Sequence, residues 1–394
     1  MKFLPKFTSK ALLWSEKAPL KIRLDIRLSG IPEKDCSMHL WDAIHLISGQ
    51  QHRWEDVYFL LNDPCNIGEV NINTDLALTL KRFHFISRKP VNLTIQSSSP
   101  PGLPFPQLLE LKLSQAGLRV VEDICSLASG LQELEVNATA LYDRLGNSSI
   151  PGLPESITLK NLRRITLAAG SGPDSQQLID RMLQRLNCPR LEDMALTGAG
   201  HNMLLTAKQF LLRTTVPLSR LEIGYSFMGD DGDEDIDSAL LSILQMQLVS
   251  EISVFKLSCE ADFEPFVPHA TIMFLASVTR LPKMQELVFS FLDLPQSHVV
   301  HVVQQRYKLG GQFRRFKLCS CSEEGETFPE FPRLEFPKPE LEYGSDNEYG
   351  ASYGSDPDSD SDTQNFWKDI VPYVEEGLDF SCTFLDDEIV DPED

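Results

Sequence analysis

The sequence predicts an α/β fold in which short parallel strands alternate with helices, and three observations lead to this prediction. Apolar residues at positions i, i+3 and i+5 recur in ten segments between residues 54 and 318. The stretches between these segments carry apolar residues at spacings of three and four, as an amphipathic helix does. Leucine accounts for 56 of the 394 residues. This share of about 14% exceeds ordinary usage and is typical of helical bundles or repeat folds.

The ten segments are regularly spaced along the chain. They begin at Trp54, Leu80, Leu108, Leu131, Leu162, Leu191, Leu218, Ile252, Met284 and Phe313. The intervals average about 29 residues, near the upper end for leucine-rich repeats, in which each unit is a strand with a returning helix. A single unit cannot bury its apolar face, whereas stacked units share one core. Residues 51–321 are therefore predicted to form an irregular leucine-rich-repeat solenoid with a curved parallel sheet and outer helices.

Residues 1–50 are predicted to cap the amino-terminal end of this solenoid. Apolar and charged residues alternate over 20–28, which indicates a strand, and residues 35–47 have helical spacing. Within the solenoid, helices are predicted at 120–129, 174–187, 203–213, 235–249, 269–280 and 296–308. Asp174 and Asp235 stand where N-cap residues are expected.

Residues 322–394 form an acidic, low-complexity tail. They hold 23 of the 57 acidic residues and three of the 36 basic ones, so the tail carries -20 of the formal net charge of -21. Prolines precede a stretch at 342–362 that is rich in Gly, Ser, Tyr and Asp, a composition that cannot bury enough apolar surface to stay ordered. The tail is predicted to be disordered, with a short helix at 366–378 that Pro372 kinks or ends.

The charge distribution and the cysteine usage exclude several classes of protein. A near-neutral body and an acidic tail disfavour binding to nucleic acid or to an anionic membrane surface. The uncharged run 266–279 is too short to span a bilayer. Lysines interrupt each apolar stretch of residues 1–14, unlike a signal peptide. Eight scattered cysteines fit reduced thiols in a cytoplasmic or nuclear protein.

A strand pattern with inward residues at i, i+3 and i+5 sends i+2 and i+4 to the opposite, concave face. The candidate protein-binding residues on that face are Arg82, His84, Lys112, Glu133, Glu135, Arg164, Asp193, Arg220, Glu222, Lys256, Arg315 and Lys317. Such an amphoteric strip suits a protein or peptide partner, because complementary charges supply specificity. The alternative is a solvated face held by cross-strand ion pairs, each worth about 0.2 to 1 kcal/mol.

Two further hypotheses concern the tail. Arg306, Lys308, Arg314, Arg315 and Lys317 form a basic cluster just before it, and the tail is hypothesised to fold back onto that cluster. Serines followed by acidic residues resemble sites of acidophilic, casein-kinase-type phosphorylation, and each phosphate would add about -1.5 to -2 charge. These candidate phosphorylation sites are Ser345, Ser355, Ser359 and Ser361.

Metal, cofactor and catalytic sites are not predicted. His298 and His301 with Cys319 and Cys321 superficially resemble a zinc set, but ordinary helix packing explains the histidines more simply. The acidic segment 229–237 lacks the glycine and glutamate that a calcium-binding loop requires and is interpreted as a solvated loop before a helix. The sequence contains no Gly-rich phosphate loop, His-Glu-x-x-His or Gly-x-Ser-x-Gly motif.

Short joints before several strands carry a resemblance to a known family. They are residues 106–108, 159–162, 188–194 and 281–284. These joints resemble the CPxL or LPxL joints of F-box/leucine-rich-repeat proteins, and the segments at 18–20 and 53–57 are similar to the part that follows the F-box in the fungal members. The first of these strands starts by residue 20, which leaves no room for the F-box itself.

The resemblance implies a non-catalytic, protein-binding function. It points to the substrate-recognition half of an F-box-type ubiquitin-ligase adaptor, with a ubiquitin-ligase substrate as partner and a Skp1-type adaptor only if an F-box is encoded upstream. The alternative is a free-standing interaction scaffold unrelated to ubiquitin transfer.

Overall fold

The fold is described from a computed structural model. The described residues are 4–26, 33–61, 69–73, 76–87, 92–96, 105, 107–115, 117–138, 156–170, 173–226, 233–259, 268–292, 294–310, 312–319, 322–323, 326–327 and 360–383.

Strands occur throughout the described part of the chain. They are β1 Leu20–Ile26, β2 Trp54–Leu61, β3 Glu69–Asn73, β4 Arg82–Ser87, β5 Asn92–Gln96, β6 Glu110–Ser114, β7 Glu133–Ala138, β8 Ile157–Thr158, β9 Arg164–Ala169, β10 Leu186–Asn187, β11 Asp193–Ala199, β12 Arg220–Tyr225, β13 Val254–Cys259, β14 Glu286–Ser290, β15 Arg315–Cys319, β16 Ser322–Glu323, β17 Glu326–Thr327 and β18 Asp379–Thr383.

Twelve of these strands form one parallel sheet. Its order, β1-β2-β4-β6-β7-β9-β11-β12-β13-β14-β15-β18, follows the chain. Each of the ten predicted segments supplies one strand, so the prediction of an α/β fold with a parallel sheet is confirmed. The remaining strands pair as β3 with β5, β8 with β10, and β16 with β17, and the sequence pattern did not predict these small sheets.

Helices connect many of the successive strands. They are α1 Leu4–Trp14, α2 Glu33–Ser48, α3 Leu118–Leu127, α4 Pro173–Arg185, α5 His201–Leu211, α6 Asp233–Leu244, α7 His269–Ala276, α8 Gln296–Gly310 and α9 Asp360–Glu375. The seven helices predicted for residues 1–321 all form, with bounds shifted by a few residues, and α1 was not predicted. Helices α4 and α6 begin at Pro173 and Asp233, so Asp174 and Asp235 lie inside the first turn and are not N-caps.

The alternating pattern of each main-sheet strand determines which side chains form the core. In β7 and β9, for example, every second residue is buried and those between are partly or fully exposed. The buried residues pack with apolar residues of the helices in one continuous cluster. Aromatic rings add contacts along it, as where Phe59 and Phe85 meet edge to face at 6.0 Å. The described helices therefore cover one face of the sheet.

A helix is present where the short helix of the tail is predicted, at 366–378, but the ordered part of the tail is longer and covers residues 360–383. Helix α9 begins at Asp360, ahead of the predicted start at 366, and it continues past Pro372 to Glu375. Strand β18 then pairs in parallel with β15. The apolar side chains of Ile370, Tyr373, Leu378 and Phe380 are all buried, and this burial offsets the entropy cost that the average tail composition does not meet. Residues 328–359 lie outside the described residues.

Candidate functional site

The face of the main sheet opposite the core, hereafter the open face, presents rows of side chains in register. The first row is Lys21, Asp56, Arg82, Glu110, Glu133, Arg164, Asp193, Arg220, Val254, Glu286, Arg315 and Asp379. The second row is Arg23, Tyr58, His84, Lys112, Glu135, Thr166, Ala195, Glu222, Lys256, Val288, Lys317 and Ser381. All twelve predicted binding residues lie in these two rows, so the structure brings them to a single face.

Ion pairs join the first row across neighbouring strands. Asp56 Oδ2 lies 3.5 Å from both Lys21 Nζ and Arg82 Nη1, and Arg82 Nε lies 3.6 Å from Glu110 Oε2. At the other end, Glu286 Oε2 lies 3.2 Å from Arg315 Nη1. These charges thus pair with one another within the protein, as in the alternative interpretation of a solvated face held by cross-strand ion pairs. Exposed ion pairs of this kind contribute little free energy, so they would give a partner little of its affinity.

Lys112 is the centre of the densest group of charges. Its Nζ lies 3.4 Å from Glu110 Oε1 and 3.1 Å from carboxylate oxygens of both Glu133 and Glu135, and Glu133 also pairs with Arg164. Burial works to lower the pKa of Lys112, but hydrogen bonds to Glu135 and Glu133 outweigh it and raise that pKa. One cation therefore holds three carboxylates that would otherwise repel one another.

The open face carries fewer charges at its centre than at its amino-terminal end. Glu222 Oε2 lies 3.5 Å from Arg220 Nη2 and 3.4 Å from Lys256 Nζ, and Asp193 Oδ1 accepts a hydrogen bond of 2.5 Å from Ser219 Oγ. Between these groups the second row is neutral, with Thr166 and Ala195 side by side. In the middle of the open face the second row is therefore neutral, while the first row still carries Arg164 and Asp193.

The amino-terminal end of the open face carries a cation–aromatic group. The Arg23 guanidinium lies 5.1 Å from the centre of the Tyr58 ring, and Tyr58 meets His84 at 5.4 Å between ring centres. His84 Nε2 lies 3.0 Å from Glu110 Oε1. Burial lowers the pKa of His84 although Glu110 opposes that shift, so the imidazole is neutral at physiological pH. The His84 ring therefore adds no charge to this end of the open face, where Arg23 is the cation over the Tyr58 ring.

Two apolar residues beside this group were missed by the sequence analysis. Leu60 and Ile86 pair directly across β2 and β4, and both are partly exposed on the open face. Together with Tyr58 and His84 they form a patch that we call the apolar corner. The signal was in the sequence at i+6, one position beyond the i+2 and i+4 positions of the two rows. Tyrosine is one of the residues enriched at the hot spots of interfaces.

The candidate phosphorylation sites lie mostly outside the described residues. Ser345, Ser355 and Ser359 belong to that part of the tail, and Ser361 lies in the first turn of α9. Ser361 falls within the stretch 342–362 that is predicted to be disordered, but the structure places it in a helix. Acidic groups in a first helical turn interact favourably with the helix dipole, so a phosphate at Ser361 would favour the helix.

Only some residues of the basic cluster that is hypothesised to receive the tail are in contact with it. Arg306 is buried, and its guanidinium donates to the backbone carbonyls of Leu275 and Leu281. Two others do contact the tail, since Lys308 Nζ lies 5.5 Å from the centre of the Tyr373 ring and Arg315 Nε donates to Asp379 Oδ2 at 2.6 Å. The tail thus contacts this region, chiefly through strand β18 and helix α9.

Within the described residues, His, Cys, Asp and Glu do not come together in any group of three that could hold a metal ion. His298 and His301 lie on α8, and Cys319 lies on β15. Burial raises the pKa of the Cys188 thiol to about 12 and also raises that of Cys125. Both thiols therefore remain protonated at neutral pH and have little nucleophilic character.

In the part of the chain that the structure describes, every helix is too short or too polar to cross a bilayer. A comparison with models of known protein families finds no match to this chain, and a comparison with curated proteins finds no relative.

Proposed function

We propose that this protein is a non-catalytic, protein-binding leucine-rich-repeat protein that holds its partner on the open face. The observation that carries the proposal is the main sheet itself, in which twelve parallel strands in chain order pack against helices on one side. The ten strands of the sequence pattern begin about 29 residues apart on average, as the stacking of one repeated unit requires. Such a sheet offers a wide surface on which side chains can vary without disturbing the core.

The apolar corner is the proposed anchor of that surface. Tyr58 and His84 pair in register, and Leu60 and Ile86 pair in register beside them. Aromatic and aliphatic groups that become fully buried on binding dominate interface energetics. The paired charges farther along the rows then select the partner by complementarity and exclude wrong ones.

A variant of the apolar corner tests the proposal. Leu60→Asp together with Ile86→Asp places two carboxylates in the anchor without touching the core, whereas Leu205→Asp on α5, where the side chain is 40% exposed, is the matched control. Affinity purification from the native cells with quantitative mass spectrometry should show partners retained by the wild-type chain and the control, and reduced at least about tenfold with the double variant. The same partner set on all three proteins would contradict the proposal.

We further propose that the chain is the substrate-recognition half of an F-box-type ubiquitin-ligase adaptor, and this rests on the resemblance of its strand joints alone. The alternative is a free-standing scaffold. Immunoprecipitation of the native gene product separates the two. Copurification of a Skp1-type adaptor supports the first, and stable partners without such an adaptor support the second.

A further inference from the structure

The last strand of the main sheet reaches its place by an unusual route. From β1 to β15, successive strands of this sheet start about 30 residues apart on average, the spacing of one repeated unit. Arg315 on β15 and its partner Asp379 on β18 are 64 residues apart in the chain. Within this interval, residues 328–359 hold eight acidic and two basic side chains. The final strand, with α9 before it, therefore joins the edge after a much longer interval than the other strands, and we call residues 360–383 the tethered segment.

The contacts of this segment fall on α8 and β15. Asp379 N donates to Arg314 O at 2.9 Å, and the ring of Phe380 stacks on Phe316 with 5.6 Å between centres. Upstream, Tyr307 Oη on α8 donates to Glu376 O at 2.7 Å. The segment thus combines main-chain pairing with one aromatic and one charged side chain, as a peptide does when it extends a sheet.

The edge that receives the segment is also held by the rest of the molecule. Arg315 keeps Glu286 as a second partner at 3.2 Å. Phe316 packs edge to face on Phe289 with 5.7 Å between ring centres and also contacts Phe313. Because these contacts come from β14 and the turn before β15, the edge stays organised if β18 leaves. A preformed edge binds an extended peptide without the entropy cost of ordering the edge first.

We propose that the β15 edge is a second binding site, which takes an extended peptide carrying an acidic residue followed by an aromatic one, and that residues 379–383 occupy it in the free protein. Arg315 pairs with the acidic side chain of the peptide, and Phe316 stacks on its aromatic ring. The next two positions take a small residue beside Lys317 and an apolar residue against Leu318, since the chain's own Ser381 and Cys382 stand there. A partner with this pattern competes with the tethered segment, whose effective concentration is of millimolar order. The site is separate from the apolar corner and does not depend on it.

The test uses the full chain and a labelled peptide with the sequence of residues 376–384, made with serine in place of Cys382. The variant Ile370→Lys with Phe380→Lys removes two buried contacts of the segment and leaves the β15 edge unchanged. Hydrogen exchange of residues 360–383 checks that the segment has been released. Fluorescence anisotropy should then show the peptide binding at least tenfold more tightly to this variant than to the wild-type chain.

Arg315→Glu in the released variant should weaken binding at least tenfold, and a peptide with Lys for Asp379 and Ala for Phe380 should not bind. Equal peptide affinity for wild-type and released chains, or affinity insensitive to Arg315→Glu, would overturn the proposal. So would unfolding or self-association of the released variant, because the segment would then be an obligatory part of the fold. Leu60→Asp with Ile86→Asp should leave peptide binding unchanged, so this site and the proposed function fail independently.

Discussion

At the scale of single residues, Asp237 shows how one acidic side chain can organise the helix of the next unit. It lies inside α6 and is 8% exposed. Its two carboxylate oxygens accept hydrogen bonds from the backbone amides of Ala270 and Thr271, at 2.7 and 2.8 Å, in the first turn of α7. Asp237 belongs both to the acidic segment 229–237, interpreted as a solvated loop, and to the helix predicted at 235–249; the structure places it in the helix. Amides in a first helical turn have no partner within their own helix, so Asp237 acts as a cap supplied from outside.

We predict that Asp237→Ala lowers the free energy of unfolding by about 1 to 3 kcal/mol, because two amides at a helix start lose their acceptor. Asp235→Ala, two residues earlier and exposed, is the control and should change stability by less than about 0.5 kcal/mol. Urea denaturation followed by circular dichroism measures both. Equal effects of the two substitutions would show that the cap contributes nothing specific.

Asp180 on α4 gives a prediction about pH. Burial raises the pKa of this carboxyl, although a hydrogen bond from Thr206 opposes the shift. The folded state therefore holds its proton more tightly than the unfolded chain does, and stability falls as pH rises from the ordinary carboxyl range through the raised pKa. Asp180→Asn should stabilise the protein at pH 7, and this gain should shrink as the pH is lowered toward 4.

The control for Asp180 is Asp174→Asn, at an exposed position of the same helix. Thermal unfolding at several pH values measures the difference between each variant and the wild-type chain. A gain for Asp180→Asn that is the same at every pH would contradict the assignment, because it would not depend on the protonation of this carboxyl.

At the scale of secondary-structure elements, arginine side chains close the ends of three helices; Arg53 and Arg306 are buried, and Arg213 is exposed. Arg53 donates to Ala18 O at 3.0 Å and to Ser15 O at 3.1 Å, just beyond the end of α1. Arg213 donates to the carbonyls of Leu183 and Leu186 at the end of α4. Arg306 does the same for α7. The last carbonyls of a helix lack partners within the helix, and a cation there also complements the helix dipole.

Arg306 provides the sharpest test of this role. Burial lowers its pKa to about 10, so it remains a cation at neutral pH. We predict that Arg306→Met costs about 1 to 3 kcal/mol of stability, because the carbonyls of Leu275 and Leu281 lose their donor. Arg314→Met, at an exposed position, should cost less than about 0.5 kcal/mol. Chemical denaturation distinguishes them, and a neutral effect of Arg306→Met would mean that removing the buried charge offsets the lost hydrogen bonds.

At the scale of the whole molecule, the charges of the open face form chains that cross several strands. Lys112 links three carboxylates on β6 and β7, so its removal would weaken the contacts between these two strands. Because hydrogen bonds to Glu135 and Glu133 raise its pKa, its contribution is fully present at neutral pH and is lost only as pH rises above the ordinary lysine value of 10.5.

We predict that Lys112→Met lowers the free energy of unfolding by about 1 to 2 kcal/mol at low salt, because the three carboxylates then repel one another. The difference from the wild-type chain should shrink in about 1 M NaCl, where screening extends over only about 3 Å. Lys317→Met is the control, since Lys317 meets a single carboxylate at 3.8 Å. If both variants behave alike in urea unfolding at low and high salt, the group around Lys112 does not act as a unit.

Ten of the twelve main-sheet strands could be predicted from the repeated pattern, and β1 from the alternation at 20–28. The face of each charged residue on them could also be predicted, because side chains in a strand alternate with a period of two. Arg82, Glu133 and Lys256 are at their expected positions for that reason. Leu60 and Ile86 were within reach of the same reasoning. The place of β18 was not, because residues 379–383 pair with a strand that lies 64 residues earlier, and local composition there resembles a solvated tail.

Local periodicity and composition are enough to predict the parallel sheet, the core positions and the near-neutral body with its acidic end. Packing in three dimensions pairs the charges of the open face with one another, buries Arg306 and Asp237 at helix ends, and places Phe380 in the last strand of the sheet. These outcomes depend on distances between residues far apart in the chain, which periodicity does not specify. The physical reason is that burial and pairing are properties of the packed molecule.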